Sequence, residues 1–484
     1  MLARLRARTA AWDRGLLTII ALFVLLLPLS VPRIYATDEV QYYAYLRSVY
    51  FDGDLDFRNE YEHFAAIGEH NGDPAIRNAL LKIDENNPNP LTGKLRNVAP
   101  IGSALLWSPG FVLADLGVRL ARLLGASTPA DGYSAPYIWA VCLMSALYAL
   151  LGLLLTYRLA RRYTGVFAAT LATISVWLAT PLVFYSYILM PWSHATAFFL
   201  FALFLTVWTR EWERPLEERL AQSRLRRWAL LGLIAALMTM TREQLGLFLV
   251  LPAVEGLIAY GRLATQRRWG EVRRVALRHA LFLLTFVLAL SPQLLTYQLL
   301  NGRPLPSTTV VGKVESSGLL SPHFFDTLID PTHGALFWSP ILALALLGLL
   351  WLGRRQRLLA AMLLLAFVAQ TYINGTFGST WHLTGSFGFR RLIECTPIFV
   401  LGLAPLIEWL RPRVGRWPLI LAAVLLIYWN AGLIAQWTVV RTPLRQGLIW
   451  DAMLRYQFIE VPSQIFSKLS SILGGGRCQF MKNC

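Results

Sequence analysis

The chain has 484 residues, of which 56% are hydrophobic and 15% charged, with 17 Trp and a net charge of +17. A soluble protein of this length carries more charge and breaks its apolar residues into short periodic runs. Here they form stretches long enough to cross ~30 Å of hydrocarbon as helices, and the alternating pattern of a barrel strand is absent.

The predicted fold is an all-α polytopic membrane protein with about eleven spans, at 16–34, 136–157, 166–184, 194–209, 228–241, 244–261, 279–300, 338–353, 358–374, 392–410 and 417–437. The first has no small-residue cleavage site and reads as an uncleaved signal anchor. A polar insertion, 35–134, follows as the first extracytoplasmic loop, with further external loops at 301–337 and 375–391 and an external tail at 438–484. The whole chain, 1–484, reads as one membrane domain without internal repeats. Of the 45 Lys and Arg, 25 fall in short loops on one face, including the arginines of 158–162, 210–227, 262–278 and 354–357. The insertion from Arg33 to Ser134 has 9 basic and 13 acidic residues. The basic excess therefore marks the cytoplasmic side and is not a nucleic-acid footprint. Five Lys against 40 Arg suggest a GC-rich bacterial genome and hence the inner membrane.

Within the insertion, Thr37 can cap a tyrosine-rich helix over roughly 38–50 that would lie on the membrane surface. The stretch 84–93 is all turn signals and predicts a mobile loop. Val98–Gly125 is apolar enough to cross, but a crossing would turn every later arginine cluster outward. It is therefore expected to lie in or dip into the outer leaflet.

The acids Asp38 and Glu39 stand at the head of the insertion. They suit the first turn of a helix, where carboxylates favour the macrodipole. They equally suit a general base at the membrane face, and spacing does not choose between them. Asp52-Gly-Asp54-Leu-Asp56 reads as a solvated turn, because the glycine a calcium loop needs after the third acid is Phe57. Arg390 and Arg391, at the outer end of a span and flanked by glycines, suit phosphate oxygens; the plain alternative is a snorkelling anchor. Glu394, one turn on, would pair with either. Arg242 and Glu243 interrupt an apolar run, as a boundary site or as a hairpin with a local ion pair. His194 and His333 read as interfacial histidines, and Trp107, Trp192, Trp338 and Trp381 as an outer aromatic belt. Cys142 and Cys395 read as core residues. Cys478 and Cys484 could pair in the external tail. No metal spacing appears.

The signal anchor with Asp38-Glu-Val-Gln-Tyr-Tyr-Ala-Tyr-Leu-Arg47, the Pro100–Pro109 stretch and the late Ser-Phe-Gly-Phe-Arg390-Arg391 together resemble the GT-C membrane glycosyltransferases. The similarity is to bacterial relatives of protein O-mannosyltransferases and of lipid A aminoarabinose transferases. It implies an inverting transferase, without metal or cofactor, that moves a sugar from a polyprenyl-phosphate donor to a glycan, lipid or protein acceptor on the outer face. Asp38 matches the family's catalytic acid, with Glu39 its neighbour. The family's phosphate-binding motif is not recognisable, so position alone proposes Arg390, Arg391, Arg242 and Arg96. Two rivals share a need for a phosphate site: a transporter or flippase of lipid-linked sugars, and an oligosaccharide ligase.

Overall fold

The computed structural model describes residues 13–82, 87–307, 312, 320–440 and 442–473. The Cys478–Cys484 pair and residues 84–86 of the turn-rich stretch lie outside them. The described chain is helical with no β-strand. Its main helices are α1 (Arg14–Leu26), α2 (Thr37–Arg47), α3 (Arg58–His70), α4 (Gly102–Leu123), α5 (Ala135–Arg161), α6 (Val166–Leu178), α7 (Ser193–Trp208) and α8 (Leu225–Thr241). There follow α9 (Val250–Thr265), α10 (Trp269–Asn301), α11 (Ile341–Gly353), α12 (Arg357–Gly375), α13 (Thr396–Val414), α14 (Trp417–Ala435) and α15 (Val461–Leu473).

Every expected span coincides with a helix, but length limits what each can do. Seven helical segments among the described residues are long and apolar enough to cross a membrane. The segments Arg14–Leu29, Val166–Leu178, Ser193–Trp208 and Ile341–Gly353 are apolar and shorter. Proline explains part of this shortening. Pro181 follows α6 and begins a separate short helix, Leu182–Tyr187, while Pro340 sets the start of α11. The protein is thus membrane-embedded by its seven apolar helices, and the count of eleven crossings is not established.

Close backbone approach holds the bundle. A Cβ on Gly402 of α13 would lie 2.0 Å from the Ala345 carbonyl of α11, and one on Gly348 would lie 2.2 Å from the Gly402 carbonyl. Without a hydrophobic drive between helices in lipid, such small-residue contacts supply the packing.

The first loop has its own apolar core. Tyr43, Tyr45, Phe57, Tyr61, Phe64, Trp107 and Phe111 bury one another and meet α5 at Tyr137. Helix α2 is consequently not a surface helix: Glu39 to Leu46 are all buried, between the loop and the bundle. Its N-cap is Ala36 and not Thr37. The turn-rich stretch is also partly anchored, since buried Asn87 donates to the carbonyl of Leu80. The tryptophans expected in an aromatic belt are mostly interior, with Trp107, Trp192 and Trp338 all buried.

Helix α4 is long and apolar enough to cross. Its contacts nevertheless keep it beside one half of α5: the Leu106 carbonyl accepts from Tyr148 and the Asp115 carboxylate from Tyr137. It runs away from the arginines that end α5, and its other face exposes Leu113, Leu116, Leu120 and Leu123.

Replacing Gly402 by Leu should destabilise the protein by about 1–3 kcal/mol or more, because the α11 backbone cannot yield. Gly117, whose Cβ position is open, provides the control. Thermal unfolding in detergent should show a lowered midpoint for Gly402→Leu and none for Gly117→Ala.

Candidate functional site

Helix α2 begins where the chain leaves α1, and its first turn carries Asp38 and Glu39 into different surroundings. Glu39 is fully buried. One of its carboxylate oxygens accepts from the backbone N–H of Tyr35 at 2.6 Å and of Ala36 at 2.8 Å. The other accepts from Trp192 Nε1 at 2.7 Å. Burial pushes its pKa above the ordinary carboxylate value, against the pull of these donors. Glu39 is therefore a cap that ties the start of α2 to the residue preceding α7.

Asp38 faces the other way. Its side chain is 41% exposed, and its Oδ2 accepts from Arg390 Nη2 at 3.3 Å. Arg390 in turn lies over the Trp192 ring, 4.0 Å from its centroid. The glycines before it shape this approach. Gly388 has φ +60° and passes so close to Pro181 that a Cβ would lie 2.4 Å from the ring. That contact seats Phe387 on Phe184, with ring centroids 4.3 Å apart, and sets Arg390 two residues later above Trp192. Only one end of the Arg390 guanidinium is used: Nη1 is buried and has no hydrogen-bond partner.

Below this pair, Glu394 gathers the remaining charges. It does not pair with Arg390 or Arg391, as its spacing suggested. Its Oε1 is 3.0 Å from His194 Nδ1 and 3.0 Å from Arg242 Nε. The Arg242 contact is an ion pair rather than a hydrogen bond, since the Nε–H is not aimed at the oxygen. Arg242 also reaches Ser193 Oγ and Gln244 Oε1, both at 3.4 Å. Its expected local partner, Glu243, instead accepts from Tyr297 at 2.5 Å. His194 is wholly buried, not interfacial.

Arg391 is more fully held. It donates to the Thr380 carbonyl at 3.2 Å and to Thr380 Oγ1 at 3.4 Å, over the Phe377 ring. It lies within electrostatic reach of Arg390, Arg242, Asp38 and Glu394. Tyr42, one turn after Asp38, donates to Ser193 at 2.9 Å, and burial pushes its phenol up to about 12. It therefore stays a neutral donor near neutral pH. The structure brings Asp38, Arg390, Arg391 and Arg242 together. Arg96 is placed by its backbone in the first loop, bonded to Asn87 and Tyr61.

Other flagged groups have local duties. Asp52 pairs with Arg47 and accepts from Asn59, while Asp54 accepts from Ser48 and the Asp56 N–H. Among the described residues no cluster of His, Cys, Asp and Glu could hold a metal. Cys142 and Cys395 are free and buried. His333 is hydrogen-bonded to Thr332 and Thr384.

Trp192, His194, Glu394 and Tyr42 complete the site and were not assigned to it from the sequence. The Pro-Trp-Ser-His start of α7 was the only signal for two of them. Compared with family models, curated proteins and solved structures, the chain matches none.

Because Glu39 satisfies two backbone donors and an indole, Glu39→Gln should cost about 1–3 kcal/mol in stability. Asp38→Asn breaks only a half-exposed ion pair, and should change stability by about 0–1 kcal/mol. Denaturation midpoints of the two variants, measured side by side, check the contrast.

Proposed function

We propose that this protein is an inverting glycosyltransferase that takes a sugar from a polyprenyl-phosphate donor on the extracytoplasmic side of the membrane. The observation that carries the proposal is the half-used guanidinium of Arg390, which holds the half-exposed Asp38 by one nitrogen while the other is buried and unpartnered. A buried donor without a partner is costly, and a phosphate oxygen is its natural acceptor.

The surroundings favour an anion. Arg242, Arg390 and Arg391 converge beside Asp38 and Glu394, and α7 starts at Ser193, so its positive macrodipole end lies on the same side. Glu394 holds Arg242 without using the guanidinium fully. A donor phosphate arriving here would compete with Asp38 for Arg390 and release the carboxylate.

The reaction then needs no enzyme nucleophile. Asp38 takes the proton from the acceptor hydroxyl or amine as its heteroatom attacks the anomeric carbon. The bond from that carbon to the phosphate oxygen breaks on the opposite face, so the configuration inverts. The leaving polyprenyl phosphate takes the electron pair, and the arginines stabilise its developing charge. Glu39 acts on this chemistry only through position, by fixing Trp192 beneath Arg390. The exposed leucines of α4 offer an apolar wall for the prenyl chain.

Native mass spectrometry of the full chain, purified in mild detergent, tests the proposal with a transfer assay. Asp38→Asn should retain polyprenyl phosphate carrying a sugar and lose transfer by about 10²–10⁴-fold, the usual worth of a general base. Arg390→Ala should lose the lipid itself. Near-normal turnover in Asp38→Asn would overturn the base assignment. Sugar-lipid movement across vesicles without transfer would favour a transporter.

A further inference from the structure

A second basic site lies at the far end of the bundle. Helix α7 runs 16 residues from Ser193 at the Asp38 site to Trp208, about 24 Å away at 1.5 Å per residue. There a cavity of about 1110 Å³ is lined by Arg162, Arg210, Arg214, Arg224, Arg226 and Arg227, against Glu211 and Glu213. Two of the six arginines are structural. Arg162 donates to Thr209, and Arg227 to the carbonyls of Val207 and Trp208, capping the negative end of α7. Arg227 also pairs with Glu211 at 3.3 Å.

The remaining arginines are not spoken for. The side chains of Arg210, Arg214, Arg224 and Arg226 make no hydrogen bond or ion pair among the described residues, and all four are exposed. Like charges converging on one concavity repel, which an incoming anion would relieve. The cavity wall is not wholly polar. Val207 and Leu230 line it, and exposed Leu233 continues the Leu230 face of α8 by one turn. An apolar track leaving a cationic cup matches a phosphate joined to acyl chains better than a soluble anion.

We propose that this cavity binds the phosphate headgroup of an anionic phospholipid from the leaflet at the arginine-rich end of the bundle. The headgroup would sit among Arg214, Arg224 and Arg226, with its chains along Leu230 and Leu233. This assignment is independent of the transfer chemistry at Asp38.

The test uses the delipidated full chain in mild detergent, titrated with phosphatidylglycerol, phosphatidylcholine or inorganic phosphate and followed by native mass spectrometry. Wild type should bind phosphatidylglycerol in preference to phosphatidylcholine. Arg214→Gln/Arg224→Gln/Arg226→Gln should weaken that binding about a hundredfold, and Arg226→Gln alone by several-fold, with the unfolding midpoint unchanged. Arg273→Gln/Arg274→Gln, which removes charge at the same end outside the cavity, should leave binding intact. Equal loss in both sets of variants would show diffuse surface charge and overturn the site. Unchanged binding in the triple variant would also overturn it, as would displacement of the lipid by millimolar inorganic phosphate.

Discussion

The guanidinium of Arg390 lies over Trp192 and against Asp38, and both neighbours are tied to Glu39, one by a hydrogen bond and the other by adjacency in the chain. A buried carboxylate needs donors around it, and Glu39 obtains them from two backbone amides and an indole. That requirement fixes the start of α2 against the start of α7. It leaves the adjacent acid, Asp38, on the accessible side of the same turn. Two neighbouring carboxylates thus acquire opposite roles from their surroundings alone, one saturated and one available.

The same rule orders the layer below. Glu394 sits at 1% exposure between His194 and Arg242, where an unpaired charge would be prohibitive, yet the pairing is incomplete on both sides. Unpartnered atoms remain here at Arg390 Nη1, Arg242 Nε, His194 Nε2 and Glu394 Oε2. Buried ion pairs elsewhere also leave an atom unpartnered, as at Arg219 Nη2 and Glu60 Oε2, so the Arg390 guanidinium is set apart by its exposed partner Asp38 and not by incomplete satisfaction alone.

The helices were legible in the sequence because apolar length and arginine-bearing loops are local signals, and each expected span meets a helix. The lengths were less legible: prolines and 3₁₀ turns cut α1, α6 and α11 short of a full crossing without interrupting their hydropathy. The tyrosine pattern of α2 suggested one wet face, but the loop core covers it, which no period within the helix can reveal. The site was half legible. The family resemblance pointed to Asp38 and position along the chain to Arg242, Arg390 and Arg391, whereas the pairings join residues 352 and 153 positions apart and follow from tertiary packing. Glu394 was misassigned for that reason. One turn from two arginines, it pairs with a third from another helix.

A structure of the protein with a polyprenyl-phosphate sugar bound would test the central claim most directly. The account predicts phosphate oxygens within hydrogen-bond distance of Arg390 Nη1, the Asp38–Arg390 contact opened, and the Asp38 carboxylate on the face of the anomeric carbon opposite the phosphate. A donor seated away from Arg390, or an Asp38 still paired with it and remote from the sugar, would contradict it.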